Sequence, residues 1–133
     1  MEQSTDENAT TLARWETTTS EVAARWVAAW TTGRTSTLFR LLAADAAIES
    51  NLDPDGDFIE ILTDFVDAVE SISVPSRVVM PGRAMLVYDC VVAGETFRLA
   101  ETLVVDADGL VREVRRVYDL TAVDRLLPGL LQP

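Results

Sequence analysis

Phe97-Arg98-Leu99-Ala100-Glu101-Thr102-Leu103-Val104-Val105 places a carboxylate inside an alternating apolar pattern. Successive side chains of a strand point to opposite faces, so Phe97, Leu99, Glu101 and Leu103 share one face. The stretch predicts a half-buried strand with an acid on its apolar side. The run before it repeats the pattern, with Met85, Val87, Asp89 and Val91 on one face. A carboxylate buried without a partner costs several kcal/mol or takes up a proton. Glu101 and Asp89 are therefore candidates for acid–base chemistry.

Outward from these strands, the second half of the chain is strand-like throughout. Val74 to Met80, Ala84 to Val92, Thr96 to Val105 and Leu110 to Leu120 follow one another. Pro81-Gly82, Gly94 and Asp106-Ala107-Asp108-Gly109 supply the turns. The first half has helical spacing. Thr18 and Glu21 stand at capping-box distance, ahead of Val22, Ala23, Trp26, Val27 and Trp30, and Gly33 suits the helix end. Thr35 or Ser36 caps a second helix carrying Leu38, Leu41 and Leu42. Ala46 to Ser50 reads as a short strand and Asp53-Pro54-Asp55-Gly56 as a turn. Phe58 to Ile72 reads as a third helix, buried through Ile59, Leu62, Phe65, Val66 and Val69. A short last helix starts at Thr121 and ends before Pro128. Helices first and a meander last predict an α+β domain over residues 18–127, with helices on one sheet face. Residues 1–17 read as a flexible tail on which Leu12 and Trp15 could dock, and 128–133 as a C-terminal tail.

Composition narrows the chemistry. The chain has 133 residues, 48% of them hydrophobic, enough for one core and a pocket. No run approaches the roughly 20 apolar residues of a membrane span. Met1 to Thr11 is polar and acidic, and the single Cys90 has no internal disulfide partner, so a cytoplasmic location is expected. The net charge of −11 argues against nucleic acid or an anionic membrane as a partner. There is no histidine, and all eleven basic residues are arginine. Schiff-base, Ser–His and Cys–His mechanisms are excluded, and metal sites lose their commonest nitrogen ligand. Asp53, Asp55, Gly56 and Asp57 faintly echo a calcium loop, but Asp64 stands where such a loop needs glutamate. No metal and no cofactor are expected.

Hairpin geometry tests the two acids. A two-residue turn at Gly94-Glu95 sets Tyr88 across from Glu101 and puts Asp89 on the face of Arg98. A three-residue loop, Val92-Ala93-Gly94, instead sets Asp89 opposite Phe97, on the face of Glu101. The acids would then lie about 13 Å apart, too far to share a proton. In the next hairpin, a loop around Ala107-Asp108 pairs Glu101 with Val114 and puts Arg116 diagonally beside it, with Tyr118 opposite Phe97. Glu101 is then either a general acid or base, with Arg116 holding a ligand oxygen, or half of an inner-face ion pair. Trp26 and Trp30, one helical turn apart, either pack the core or wall a pocket for an apolar ligand. Tyr88 and Tyr118 could orient such a ligand through their hydroxyls. Cys90 reads as a small buried hydrophobe.

The order of elements resembles the nuclear-transport-factor-2-like superfamily, the cone-shaped α+β barrel with N-terminal helices packed on a curved antiparallel sheet. The resemblance covers about residues 20–126. It rests on Trp26-Val27-Ala28-Ala29-Trp30-Thr31-Thr32-Gly33, on Leu42-Ala43-Ala44-Asp45-Ala46-Ala47-Ile48-Glu49, and on Asp108-Gly109-Leu110-Val111-Arg112-Glu113-Val114-Arg115-Arg116-Val117-Tyr118-Asp119. The superfamily includes ketosteroid isomerases, SnoaL-like polyketide cyclases and limonene-type epoxide hydrolases. Glu101 falls where the isomerases hold an acidic oxyanion-hole residue, Trp26 where they hold a tyrosine, and Ser50 where they hold the base. Asp89 falls on the strand aspartate of the epoxide hydrolases. The rest of that set falls on Val87, Arg116, Ile48 and Ser50, so one of its catalytic residues survives.

The resemblance implies a cofactor-independent isomerase or cyclase acting on a small hydrophobic oxygenated molecule, polyketide- or terpenoid-like. Glu101, Asp89 and Arg116 are its catalytic candidates. Trp26, Trp30, Ser50, Phe65, Tyr88, Phe97, Leu99, Val114 and Tyr118 are its substrate-binding candidates. The alternative is a non-catalytic binding or dimerisation module on the same fold; epoxide hydrolysis stands behind both. A homodimer through the outer sheet face is also implied.

Overall fold

The computed structural model describes residues 2–52 and 55–130, with side chains from Glu7 onward. The chain runs α1 (Glu2–Thr31), α2 (Thr35–Leu41), β1 (Leu42–Ser50), α3 (Phe58–Ala68), β2 (Ser71–Met80), β3 (Arg83–Val92), β4 (Glu95–Val105), β5 (Val111–Tyr118) and α4 (Leu120–Leu126). A 3₁₀ turn at Pro128–Leu130 follows, and Leu130 packs against the core. The sheet order is β1-β5-β4-β3-β2. Its pairs are antiparallel except β1 with β5, which is parallel. β1 and β2 are the free edges, so the sheet does not close.

α1 begins at Glu2, well before the capping box expected at Thr18. The threonines there serve the helix interior instead. Thr17 Oγ1 donates to the Ala13 carbonyl at 3.0 Å and Thr19 Oγ1 to the Trp15 carbonyl at 2.7 Å. Residues 2–17, read from sequence as a flexible tail, are helical, and Trp15 takes the docked position that the sequence left open. Its indole N–H donates to the Val105 carbonyl at 2.9 Å. α3 stops at Ala68, earlier than read from sequence, and Ile72 joins β2. Asp57 caps α3 by accepting from the Glu60 N–H at 3.0 Å, and Asp119 caps α4, which starts at Leu120, one residue before the expected Thr121. The turn and acidic loop expected around Asp53 and Pro54 lie partly outside the described residues. Among the described residues, no three His, Cys, Asp or Glu side chains gather as a metal would need, and no helix is long and apolar enough to cross a membrane.

The register differs from both β3–β4 alternatives. Val92 pairs with Glu95, so the loop is Ala93-Gly94, with φ of 52° and 78°. Two left-handed residues match the hairpin twist, although alanine rarely adopts that region. Glu70 helps hold the turn by accepting from the Ala93 N–H at 2.6 Å. Asp89 therefore sits opposite Arg98, and Leu86 sits opposite Glu101. In the next hairpin Glu101 faces Arg116 directly, Leu99 faces Tyr118, and Leu103 faces Val114. The expected partners are displaced by two residues: Val105 already pairs with Val111, one residue off beside the turn, and the register slip between Val104 and Val105 adds the second. The inner faces of β4 and β5 are the expected ones, and β3 turns the face of Tyr88 inward, as the first of the two alternatives had it: Leu86, Tyr88, Leu99, Glu101, Leu103, Val114, Arg116 and Tyr118 are all buried against α1 and α3.

Candidate active site

Pleating turns Glu101 of β4 and Arg116 of β5 into the interior side by side. Glu101 Oε2 lies 3.1 Å from Arg116 Nε, and both side chains are 0% exposed. The contact is close but off the hydrogen-bonding line, so neither atom forms a proper hydrogen bond. Glu101 Oε1, in contrast, accepts from the Tyr88 hydroxyl at 2.6 Å and from the Trp26 indole at 2.9 Å. The Trp30 indole donates to the Tyr88 oxygen at 3.1 Å. Indole and guanidinium nitrogens only donate, so this surround fits an ionised carboxylate.

Arg116 is held from several sides. Its guanidinium carbon lies 4.0 Å from the Trp30 ring centroid, 5.5 Å from that of Tyr118 and 5.8 Å from that of Tyr88. Burial works against its charge, but Glu101, then Tyr118 and Tyr88, hold its pKa above the ordinary arginine value. It remains a cation. Burial, followed by the Glu101 charge, raises the Tyr88 pKa far above the phenol range, so its proton stays in place. Tyr118 is raised as well, mainly by burial, with Arg116 opposing. Part of that opposition comes from a side-chain contact between Arg116 and the Tyr118 hydroxyl, although its geometry falls short of a proper hydrogen bond. Burial pushes the Cys90 thiol up to about 12.

A cavity of about 230 Å³ opens beside this cluster, lined by Ile48, Ser50, Leu52, Gly56, Phe58, Ile61 and Tyr118. Two of its walls touch the charged cluster. Tyr118 lies against Arg116, and Phe58 stacks on Trp26 with centroids 6.3 Å apart. Larger hollows along α1, such as that by Ala9, Ala13 and Thr17, are open surface concavities with none of these groups. Asn51, between the cavity residues Ser50 and Leu52, ties the chain there to β5. Its amide donates to the Tyr118 carbonyl at 2.9 Å and its oxygen accepts from the Tyr118 N–H at 2.8 Å. The side chain thus extends the β1–β5 pairing by one rung.

No family model and no curated protein matches the chain. Solved structures do. A steroid delta-isomerase from Pseudomonas aeruginosa superposes with a TM-score of 0.69 at 16% identity, covering 86% of this chain and 88% of that one. A nuclear-transport-factor-2-like protein of unknown function from Cytophaga hutchinsonii gives 0.61 at 12% identity, with 79% and 93% covered. The chain has the nuclear-transport-factor-2-like fold. A third structure, AclR from Streptomyces galilaeus, described as a candidate hydroxylase, gives 0.67 at 19% identity, with 84% and 96% covered.

On this nuclear-transport-factor-2-like scaffold the sequence candidates fall into three groups. Glu101, Arg116, Tyr88, Trp26 and Trp30 form the buried charged cluster. Phe65, Phe97, Leu99 and Val114 are buried core around it, and Ser50 and Tyr118 line the cavity. Asp89 lies apart and corrects the expectation that it joins Glu101. It is on the outer face, where it receives Arg98 Nε at 3.0 Å. Its apolar neighbours Met85 and Val87 belong to that outer face too, which explains why alternation alone did not reveal its side. Val87 and Ile48 also fall outside the charged cluster, so the epoxide-hydrolase positions are not brought together. Sequence reading missed Asn51 and Phe58. For Asn51 the one signal was its place directly after a strand end. Phe58 has the pattern of an ordinary apolar residue at a helix start, which carries no such signal.

Proposed function

We propose that this chain is a cofactor-independent isomerase or cyclase for a small hydrophobic carbonyl compound, with Glu101 moving the proton. One observation carries the reading. The donors Tyr88 and Trp26 are both spent on Oε1, which leaves Oε2 free of any hydrogen bond beside a fixed guanidinium. An anionic oxygen held this way can take a proton from the carbon next to a carbonyl. Arg116 offsets the negative charge that then grows on the substrate. The cavity at Ser50 and Tyr118 receives the apolar body, and movement of its wall admits the reacting end. The structural likeness to a steroid delta-isomerase supports this class of chemistry. The chain acts, in this reading, as a homodimer through its outer sheet face.

The test is proton exchange at the carbon beside the carbonyl of cyclohexanone in heavy water, followed by NMR. Wild type is expected to exceed Glu101→Gln by about a hundred- to ten-thousand-fold, the usual range for a lost general base. Equal rates in folded wild type and variant would sink the mechanism. The complete enclosure of Glu101 and Arg116 favours a second reading, a binding module without chemistry. Saturable binding of cyclohexanone with no exchange above background would establish that alternative.

A further inference from the structure

Arg116 is the most heavily enclosed cation in the described chain, and most of its donor capacity is unused. A guanidinium has five N–H donors. Nε lies 3.1 Å from Glu101 Oε2 without a hydrogen bond of proper geometry, and Nη1 and Nη2 are likewise buried without a hydrogen-bond partner. The Trp30 ring does not satisfy them. A cation–π contact acts through the face of the guanidinium, whereas its N–H groups point outward in the plane. A buried, charged donor left unpaired costs more than a neutral one, so such groups are normally satisfied. Two nitrogens on one planar fork match the two oxygens of a carboxylate. Glu101 does not exhaust the cation, because its own charge is shared with Tyr88 and Trp26 through Oε1.

The cavity supplies the other half of the argument. Its Tyr118 wall is the ring that lies against the guanidinium, and its other walls are mostly apolar. We infer that the ligand is a small apolar carboxylic acid. Its ring or chain occupies the Ser50–Phe58–Tyr118 cavity and its carboxylate sits on Nη1 and Nη2 of Arg116, reached when Tyr118 swings aside. The inference rests on the interior being the ligand site, as in the reading above, but it requires no turnover.

Benzoate, benzamide and benzyl alcohol present the same ring with a charged or a neutral head. Nitrogen-labelled protein is titrated with each, following the Trp26 and Trp30 indole N–H signals, with the Trp15 indole on Val105 as the remote control. Benzoate is expected to bind at least about tenfold more tightly than either neutral compound and to shift Trp30 most. The paired variant Glu101→Gln with Arg116→Met removes both charges together, which avoids stranding one of them. In it, benzoate is expected to fall to the level of benzamide. Benzoate binding no tighter than benzamide, failing to bind, or binding the paired variant equally well would each overturn the inference. The heavy-water experiment would stand untouched by that failure, because cyclohexanone has no carboxylate.

Discussion

Tyr88 is the residue through which the interior network is joined. It accepts from Trp30 and donates to Glu101, and it packs edge-on against Trp30 at a centroid distance of 4.8 Å. Removing only its hydroxyl leaves the ring packing but strips Oε1 of one donor and leaves the Trp30 N–H without an acceptor. Tyr88→Phe is therefore expected to lower stability by about 1–3 kcal/mol, read as a shift in urea midpoint without a change in slope. A loss under half a kcal/mol would mean that the neighbours re-pair. Cys90 offers a separate check on the enclosure. It is buried, and its thiol pKa is pushed up to about 12, first by burial. Below that pH it stays a thiol in the native protein, so a thiol-labelling reagent at neutral pH should react at the rate of unfolding and much faster in urea. Rapid labelling of the native protein would show that the β3 inner face opens locally.

At the scale of elements, α1 is fastened to the end of the sheet by a clasp. Trp15 donates to Val105, and Thr19 Oγ1 accepts from the Gly82 N–H at 3.0 Å in the β2–β3 turn. Gly82 has φ +81°, and a Cβ there would come within 2.4 Å of the Trp15 ring. Gly82→Ala is thus expected to be among the more damaging small changes, at roughly 2 kcal/mol or more from strain and overpacking together. In a Trp15→Ala background the overpacking disappears, and only the backbone cost of about 1–2 kcal/mol should persist. Strictly additive losses in the double variant would contradict the clasp. This clasp shows where sequence legibility ended. The Pro81-Gly82 turn was readable, since proline followed by glycine suits a turn with positive φ at its second centre. The Ala93-Gly94 turn was not, because alanine is an unusual tenant of the left-handed region and only Glu70, distant in sequence, shows how the turn is held. The inner face of β4 was legible through Phe97, Leu99 and Leu103. Its exact partners were not, because the pairing beside the turn and the slip at Val104, each worth one residue, are backbone events that composition does not mark. Glu101 was legible as a buried acid, yet its two donors on Oε1 come from α1 and β3, contacts that no local pattern encodes.

For the whole molecule, the asymmetry of the sheet matters most. The inner face is filled by the helices and the charged cluster, while the outer face keeps Val78, Met85 and Val117 at 47%, 42% and 51% exposure. The register aligns them in adjoining rows: Val78 faces Met85, and Val87 faces Ala100, which faces Val117. Charged pairs flank the stripe, Asp89 with Arg98 on one side and Glu49 with Arg115 on the other. An apolar centre with a charged rim is the usual composition of a protein interface. A two-fold arrangement sets such a stripe against its own copy, with each rim able to meet groups of either sign. This face supports the proposed homodimer, which would leave the cavity at Ser50 and Tyr118, on the inner side of the sheet, free for ligand. Sedimentation equilibrium should accordingly return twice the chain mass of 14.6 kDa at micromolar concentration. Val117→Arg places a cation in the middle of the stripe on both copies and should shift the mass to that of one chain. Val117 is exposed in the single chain, so this substitution should change its unfolding by no more than about half a kcal/mol. Benzoate titration should be equally unaffected, because nothing in the cavity is touched. A wild-type protein that sediments as a single chain at high concentration would remove the dimer, and the outer stripe would then face solvent in the working protein.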